Sequence, residues 1–103
     1  MGEITDVAKT NDLAPGQAMC VEVAGQRVAL FNIDGSFHAI GDSCTHVGGP
    51  LSEGQVDGKV VTCPLHGAEF DVTNGTVLGP PAAANVPCYN VHVDGEDIKI
   101  ETP

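Results

Sequence analysis

A chain of 103 residues leaves room for one domain with a modest core, and its only aromatic side chains are Phe31, Phe37, Phe70 and Tyr89. Fourteen acidic residues against four basic ones give a formal charge of −10. That charge excludes nucleic acid and anionic membrane surfaces as partners and suits a partner with a basic docking patch, although it also keeps a small protein soluble.

No stretch approaches the ~20 apolar residues of a membrane span. The opening "MGEITDVAKT" lacks a basic region followed by an apolar one, and Asp6 breaks the lipid-attachment pattern after Gly2. These signs place the chain in the cytoplasm. Four cysteines, Cys20, Cys44, Cys63 and Cys88, would suggest two disulfides in a secreted protein. In a reducing compartment, clustered Cys and His point to metal.

In chain order, "NDLAPG" (11–16) reads as one helical turn or a plain turn. "MCVEVAG" alternates, with Met19, Val21 and Val23 on one face. "VALFNI" is a mostly apolar run closed by the hairpin signal "DGS", and "SFHAIG" follows as a short strand. "QVDGKVVTC" predicts a hairpin about Asp57-Gly58, and "EFDVTNGTVLG" another at Asn74-Gly75. "GPPAAANVP" (79–87) is a proline-flanked loop. "CYNVHVDGEDIKIE" predicts a last hairpin near Asp94-Gly95, with Tyr89, Val91 and Val93 facing one way and Ile98 and Ile100 paired opposite. Roughly nine short strands, with no 3.6-residue periodicity, imply an all-β antiparallel sandwich or barrel.

Two Gly/Pro-marked segments, 42–50 and 63–67, interrupt the alternation. Each contains one Cys and one His. The pattern is Cys44-x-His46, then 16 residues, then Cys63-x-x-His66. The intervening hairpin returns the chain to where it began, so the two loops can meet at one end of a sheet. Zinc takes Cys₂His₂ tetrahedrally, usually with two Cys in one arm and two His in the other. Here each arm is mixed. A mixed arm suits a two-iron cluster in which each loop gives one ligand to each iron, the arrangement of Rieske centres.

"CTH…CPLHG" resembles the Rieske [2Fe-2S] motif, C-x-H-x(15–17)-C-x-x-H. The likeness runs from "PGQAMCVEVAGQRVALF" to "YNVHVDGEDIKI", nearly the whole chain. It implies a single Rieske domain over 1–103, with a cluster-binding subdomain of two loops, about 42–82, inserted in a basal β-sandwich. Cys44 and Cys63 would hold the inner iron of one [2Fe-2S] cluster, and His46 and His66 the outer one. Gly79 to Pro81 would cover the cluster, unless they form an ordinary surface turn.

Two ferric ions, two sulfides and two thiolates make a neutral core, where four thiolates would leave a dianion, so the potential should exceed that of plant-type ferredoxins. High-potential members carry an extra disulfide where this chain has Gly49 and Leu65, and Ser and Tyr where it has Ala68 and Phe70. Fewer hydrogen bonds to sulfur imply the low end of the range, near or below about −50 mV. The ligand imidazoles imply a potential that falls once the oxidised-state ring N–H begins to ionise.

The resemblance points to the soluble ferredoxin type. That type is a monomeric electron carrier, not itself an enzyme, between a flavoprotein ferredoxin reductase and a terminal oxygenase. A small subunit of a larger reductase, such as nitrite reductase, is the alternative, and a zinc-stabilised interaction module a third reading. A self-contained Rieske oxygenase would need a mononuclear iron held by two further His and a carboxylate, and only His38 and His92 remain. Cys20 lies out of phase with the apolar face of its strand, and Cys88 lies in phase with Asn90 and His92; both read as incidental thiols, with a disulfide between them as the minority alternative. His38 and His92 read as ordinary strand residues, and Glu69 and Asp71 as a solvated face. Asp42 and Glu53 border the loops in a capping or a partner-contact role.

Overall fold

The computed structural model describes residues 3–43, 50–65, 67–79 and 84–101. These form ten strands, all antiparallel: β1 (Ile4–Lys9), β2 (Ala18–Val23), β3 (Gln26–Ile33), β4 (Ser36–Gly41), β5 (Gln55–Asp57), β6 (Val60–Thr62), β7 (Glu69–Asp71), β8 (Val77–Gly79), β9 (Cys88–Asp94) and β10 (Asp97–Glu101). Single 3₁₀ turns lie at Thr10–Asp12 and Leu51–Glu53. Among the described residues no helix is long and apolar enough to cross a membrane.

Tight turns set the registers. Ala24 and Gly25, with φ of 52° and 78°, turn β2 into β3; Asp34 and Gly35, with φ of 52° and 92°, turn β3 into β4. Positive φ at both central residues matches the right-handed twist of the flanking strands. The next hairpin pairs Asp57 with Val60, so its central residues are Gly58 and Lys59, one position later than the sequence suggests. The turn after β7 is a wider loop through 72–76, in which Gly75 has a φ of 78°. Ile98 pairs with Val93 and Ile100 with Val91, as the alternation predicts.

The strands make two sheets. One is six-stranded in the order β1-β10-β9-β4-β3-β2, the other four-stranded in the order β5-β6-β7-β8. β9 joins two parts of the larger sheet: Cys88 and Tyr89 pair with β4, whereas Asn90 to Asp94 pair with β10. β1 is an addition to the predicted set. A bulge between Asp6 and Ala8 disturbs its alternation, which conceals it in the sequence.

β3 explains why "VALF" shows no alternation. Val28 and Leu30 face a core shared with Val21, Val23, Ala39, Ile98 and Ile100. Ala29 and Phe31 face the opposite way, into a core shared with Leu51, Val61, Cys63, Ala68, Phe70 and Val72. All four β3 residues are wholly buried. Each large side chain so placed contributes about 1.5–3 kcal/mol relative to exposure. The second core fastens the small sheet to the large one.

Candidate metal centre

Two short segments follow β4 and β6, which lie in different sheets, and each is closed at its base by backbone bonds. The first follows β4. Ser43 bridges to Pro50, and the Leu51 N–H donates to the Asp42 carbonyl at 2.7 Å. Asp42 is 1% exposed. Its Oδ1 accepts the Ser52 N–H at 2.7 Å, and its Oδ2 lies 3.2 Å from Arg27 Nη2. Asp42 therefore has a capping role, and the partner-contact alternative falls away for it. Glu53 is exposed. Cys44, His46 and Gly49 lie outside the described residues.

The second loop follows β6. The Cys63 N–H donates to the Ala68 carbonyl at 2.7 Å, and the Gly67 N–H to the Cys63 carbonyl at 3.2 Å. Gly67 has a φ of 79°, a conformation costly for any residue with a Cβ. His66 lies outside the described residues, as do Pro80 and Pro81.

The β5–β6 hairpin brings the exit of the first loop to the entry of the second. Gln55 pairs with Thr62, and Gly54 sits so close to this strand that a Cβ on it would lie 2.2 Å from the Thr62 carbonyl oxygen. Leu51, just past the first loop, packs in the same core as Cys63, Ala68 and Phe70.

Cys63 is the one expected ligand within the described residues. It is a free thiol, 2% exposed, with both backbone polar groups engaged in closing its loop. A sulfur held at the base of a closed loop, free of any disulfide, fits an iron ligand that rearranges little on binding. Ala68 and Phe70 are wholly buried and bring no hydroxyl to this region, while Leu65 is 57% exposed.

The residues set aside as incidental have other partners. Cys20 and Cys88 are both exposed free thiols, so no disulfide joins them. Cys88 Sγ donates to the Thr73 carbonyl at 3.6 Å; partial desolvation, then the nearby Asp71 carboxylate, raise that thiol above its ordinary value. His38 is half-buried opposite Phe31. His92 Nε2 lies 2.8 Å from Glu101 Oε1. Glu69 is exposed, and Asp71 is held below the ordinary carboxylate value chiefly by the Thr73 hydroxyl at 2.6 Å.

Comparison with known proteins extends these observations. Residues 3–90 match the family described as the Rieske [2Fe-2S] domain. The biphenyl dioxygenase ferredoxin subunit of Pseudomonas sp. strain KKS102 is 39% identical over 98 residues, covering 94% of this chain and 90% of that protein. The ferredoxin of carbazole 1,9a-dioxygenase from Nocardioides aromaticivorans IC177 superposes with a TM-score of 0.91 at 31% identity, covering 94% of this chain and 95% of that one. A structure described as a putative NADH-dependent nitrite reductase small subunit from Mycobacterium tuberculosis gives 0.90 at 29% identity, covering 100% and 97%. A match over this much of the chain, on two cooperating sheets with paired loop stems, settles its kinship: the chain belongs to the Rieske [2Fe-2S] domain family.

Proposed function

We propose that this chain is a one-electron carrier holding a single [2Fe-2S] cluster, with Cys44 and Cys63 on one iron and His46 and His66 on the other. The supporting observation is the pair of loop stems brought together by the β5–β6 hairpin, with the buried free thiol of Cys63 at the base of the second loop. When bound, the cluster supplies reversible storage of one electron. The chain's own residues do the rest. The loops hold the ligands, and the segment 42–82 acts as the cluster-bearing unit on the larger sheet. Ala68 and Phe70 leave sulfur short of hydroxyl donors, which sets a potential at the low end of the family range. Leu65, exposed on the second loop and next in sequence to His66, offers a docking partner an apolar contact.

The donor in this reading is a flavoprotein ferredoxin reductase and the acceptor a terminal oxygenase, since the similar proteins above include dioxygenase ferredoxins. The charge of −10 steers docking onto basic patches of both. The protein works in the cytoplasm as a monomer. The likeness to a nitrite reductase small subunit supports a second reading, membership of a larger reductase. A complex that survives purification from native cells favours the second reading; a free monomer favours the first.

Anaerobic purification followed by metal and labile-sulfide analysis tests the proposal. The expected result is about two irons and two sulfides per chain, with an EPR signal on reduction that Cys63→Ser and His66→Ala abolish. A colourless protein carrying zinc overturns it.

A further inference from the structure

We infer that Asp42, backed by Arg27, is a positioning residue that holds the first ligand loop in register with the second; this rests on the cluster-carrier reading above. Asp42 is the last described residue but one before Cys44, and its polar groups tie the two ends of that loop together. The Asp42 N–H donates to the Arg27 carbonyl at 3.1 Å, which fixes the loop's entry to β3. The Asp42 carbonyl accepts the Leu51 N–H, and its Oδ1 the Ser52 N–H, both at 2.7 Å, which fixes the exit. The bridge between Ser43 and Pro50 lies between these two attachments.

The exit residue carries the constraint onward. Leu51 is wholly buried in the core that contains Cys63, Ala68 and Phe70. Asp42 thus sets where the first loop begins and ends through its backbone, and its carboxylate adds a side-chain hold on the exit at Ser52 and on Arg27 beside the entry. Arg27 completes the arrangement from outside. Its side chain is 59% exposed, so the guanidinium keeps its hydration on one side while it faces Asp42 Oδ2 at 3.2 Å. A carboxylate with 1% exposure is costly to bury unless it is paired and hydrogen-bonded, and an apolar side chain of similar volume would often stabilise a fold as well or better. Two directed acceptors, one on the Ser52 N–H and one on the Arg27 guanidinium, do what an apolar side chain cannot.

The test uses holoprotein. Asp42→Asn keeps the size and one acceptor but turns an amide toward Arg27; Asp42→Ala removes both acceptors; Arg27→Met removes the outer partner at an exposed position. Ile98→Ala, in the core remote from the loops, lowers stability without touching the brace. Cluster loss under chelator is followed by visible absorbance well below each thermal midpoint, with the EPR spectrum of the reduced protein alongside. We expect Asp42→Asn to lose its cluster about tenfold faster than wild type or more, Asp42→Ala faster still, and Arg27→Met to a smaller degree, with altered g-anisotropy in the Asp42 variants. Ile98→Ala should keep the wild-type spectrum and loss rate. Should Asp42→Ala not fold, Asp42→Asn and Arg27→Met decide. Variants that match wild type, or that depart from it no more than Ile98→Ala does, overturn this inference alone. A wild-type chain that takes up no cluster overturns the functional reading and this inference with it.

Discussion

The Cys63 N–H and the Ala68 carbonyl close the Cys63–Gly67 loop at 2.7 Å, and the Ala68 side chain is wholly buried in the same core as Cys63. A hydroxyl introduced at position 68 would therefore sit in a dry setting, where a hydrogen bond to sulfur counts most. One such bond, worth about 1 kcal/mol, corresponds to roughly 40 mV for one electron. Ala68→Ser should raise the midpoint potential by about that much, and Phe70→Tyr should move it the same way. Redox titration of the holoprotein measures both.

Gly54 has no room for a side chain, since its Cβ would lie 2.2 Å from backbone oxygen of Thr62. Its φ of −76° suits any residue, so space alone decides. Gly54→Ala should destabilise the protein by about 3 kcal/mol, because the backbone at Thr62 must shift. Gly95 differs: it has a φ of 63° but open space around it. Gly95→Ala should cost about 1 kcal/mol from strain alone. Urea unfolding of the two variants ranks them.

Asp71 gives a pH dependence of known sign. Its carboxylate accepts from the Thr73 hydroxyl and N–H, which lowers its folded value below the ordinary 3.8, with Lys59 and His38 adding smaller pulls. The stability it supplies is complete above its unfolded value and vanishes as pH falls through the folded one. The thermal midpoint of wild type should exceed that of Asp71→Asn by a constant margin well above 3.8, and the margin should shrink as pH falls below that value. Midpoints recorded for both proteins on either side of it check this, since any acid lability of the cluster is common to the two.

Salt should slow electron delivery. With fourteen acidic residues against four basic ones, encounter with a basic partner is steered by charge. The second-order rate of reduction by a cognate reductase should fall about tenfold or more between low salt and about 0.5 M, where screening lengths shrink to a few ångströms. Stopped-flow traces at several ionic strengths give the slope, and a flat response would remove charge from the account.

Much of this architecture can be counted out along the chain. The two-residue turn at Asp34-Gly35 pairs Ile33 with Ser36, and the same count carried to the far end sets Arg27 opposite Asp42. The brace at the first loop was thus open to arithmetic, though Asp42 alone reads as an ordinary turn residue. The hairpin between the two Cys/His segments was likewise readable, and it explains how Gly54, just past the first, returns beside Thr62, just before the second. Other features left no local trace. Alternation in "CYNVHVD" runs unbroken through the point where β9 changes partners from β4 to β10. Ala24 in the left-handed region is a poor turn signal, because alanine rarely adopts it. The buried Asn32 is equally silent in sequence; its side chain links the Leu13 carbonyl to the Gly35 N–H.

Because β3 lends one face to each hydrophobic cluster, the two halves of the molecule share a wall. Melting the end that carries the loops would strip Ala29 and Phe31 of their neighbours and leave Val28 and Leu30 holding the other half from a strand exposed on one side. The cost of loosening either half therefore falls on both. Separation of one sheet from the other is suppressed until the entire chain gives way, and the amides of residues 28–31 should be the last to exchange with solvent deuterium. A redox protein benefits from such cooperativity, since an electron passing in and out meets nearly the same surroundings on every cycle.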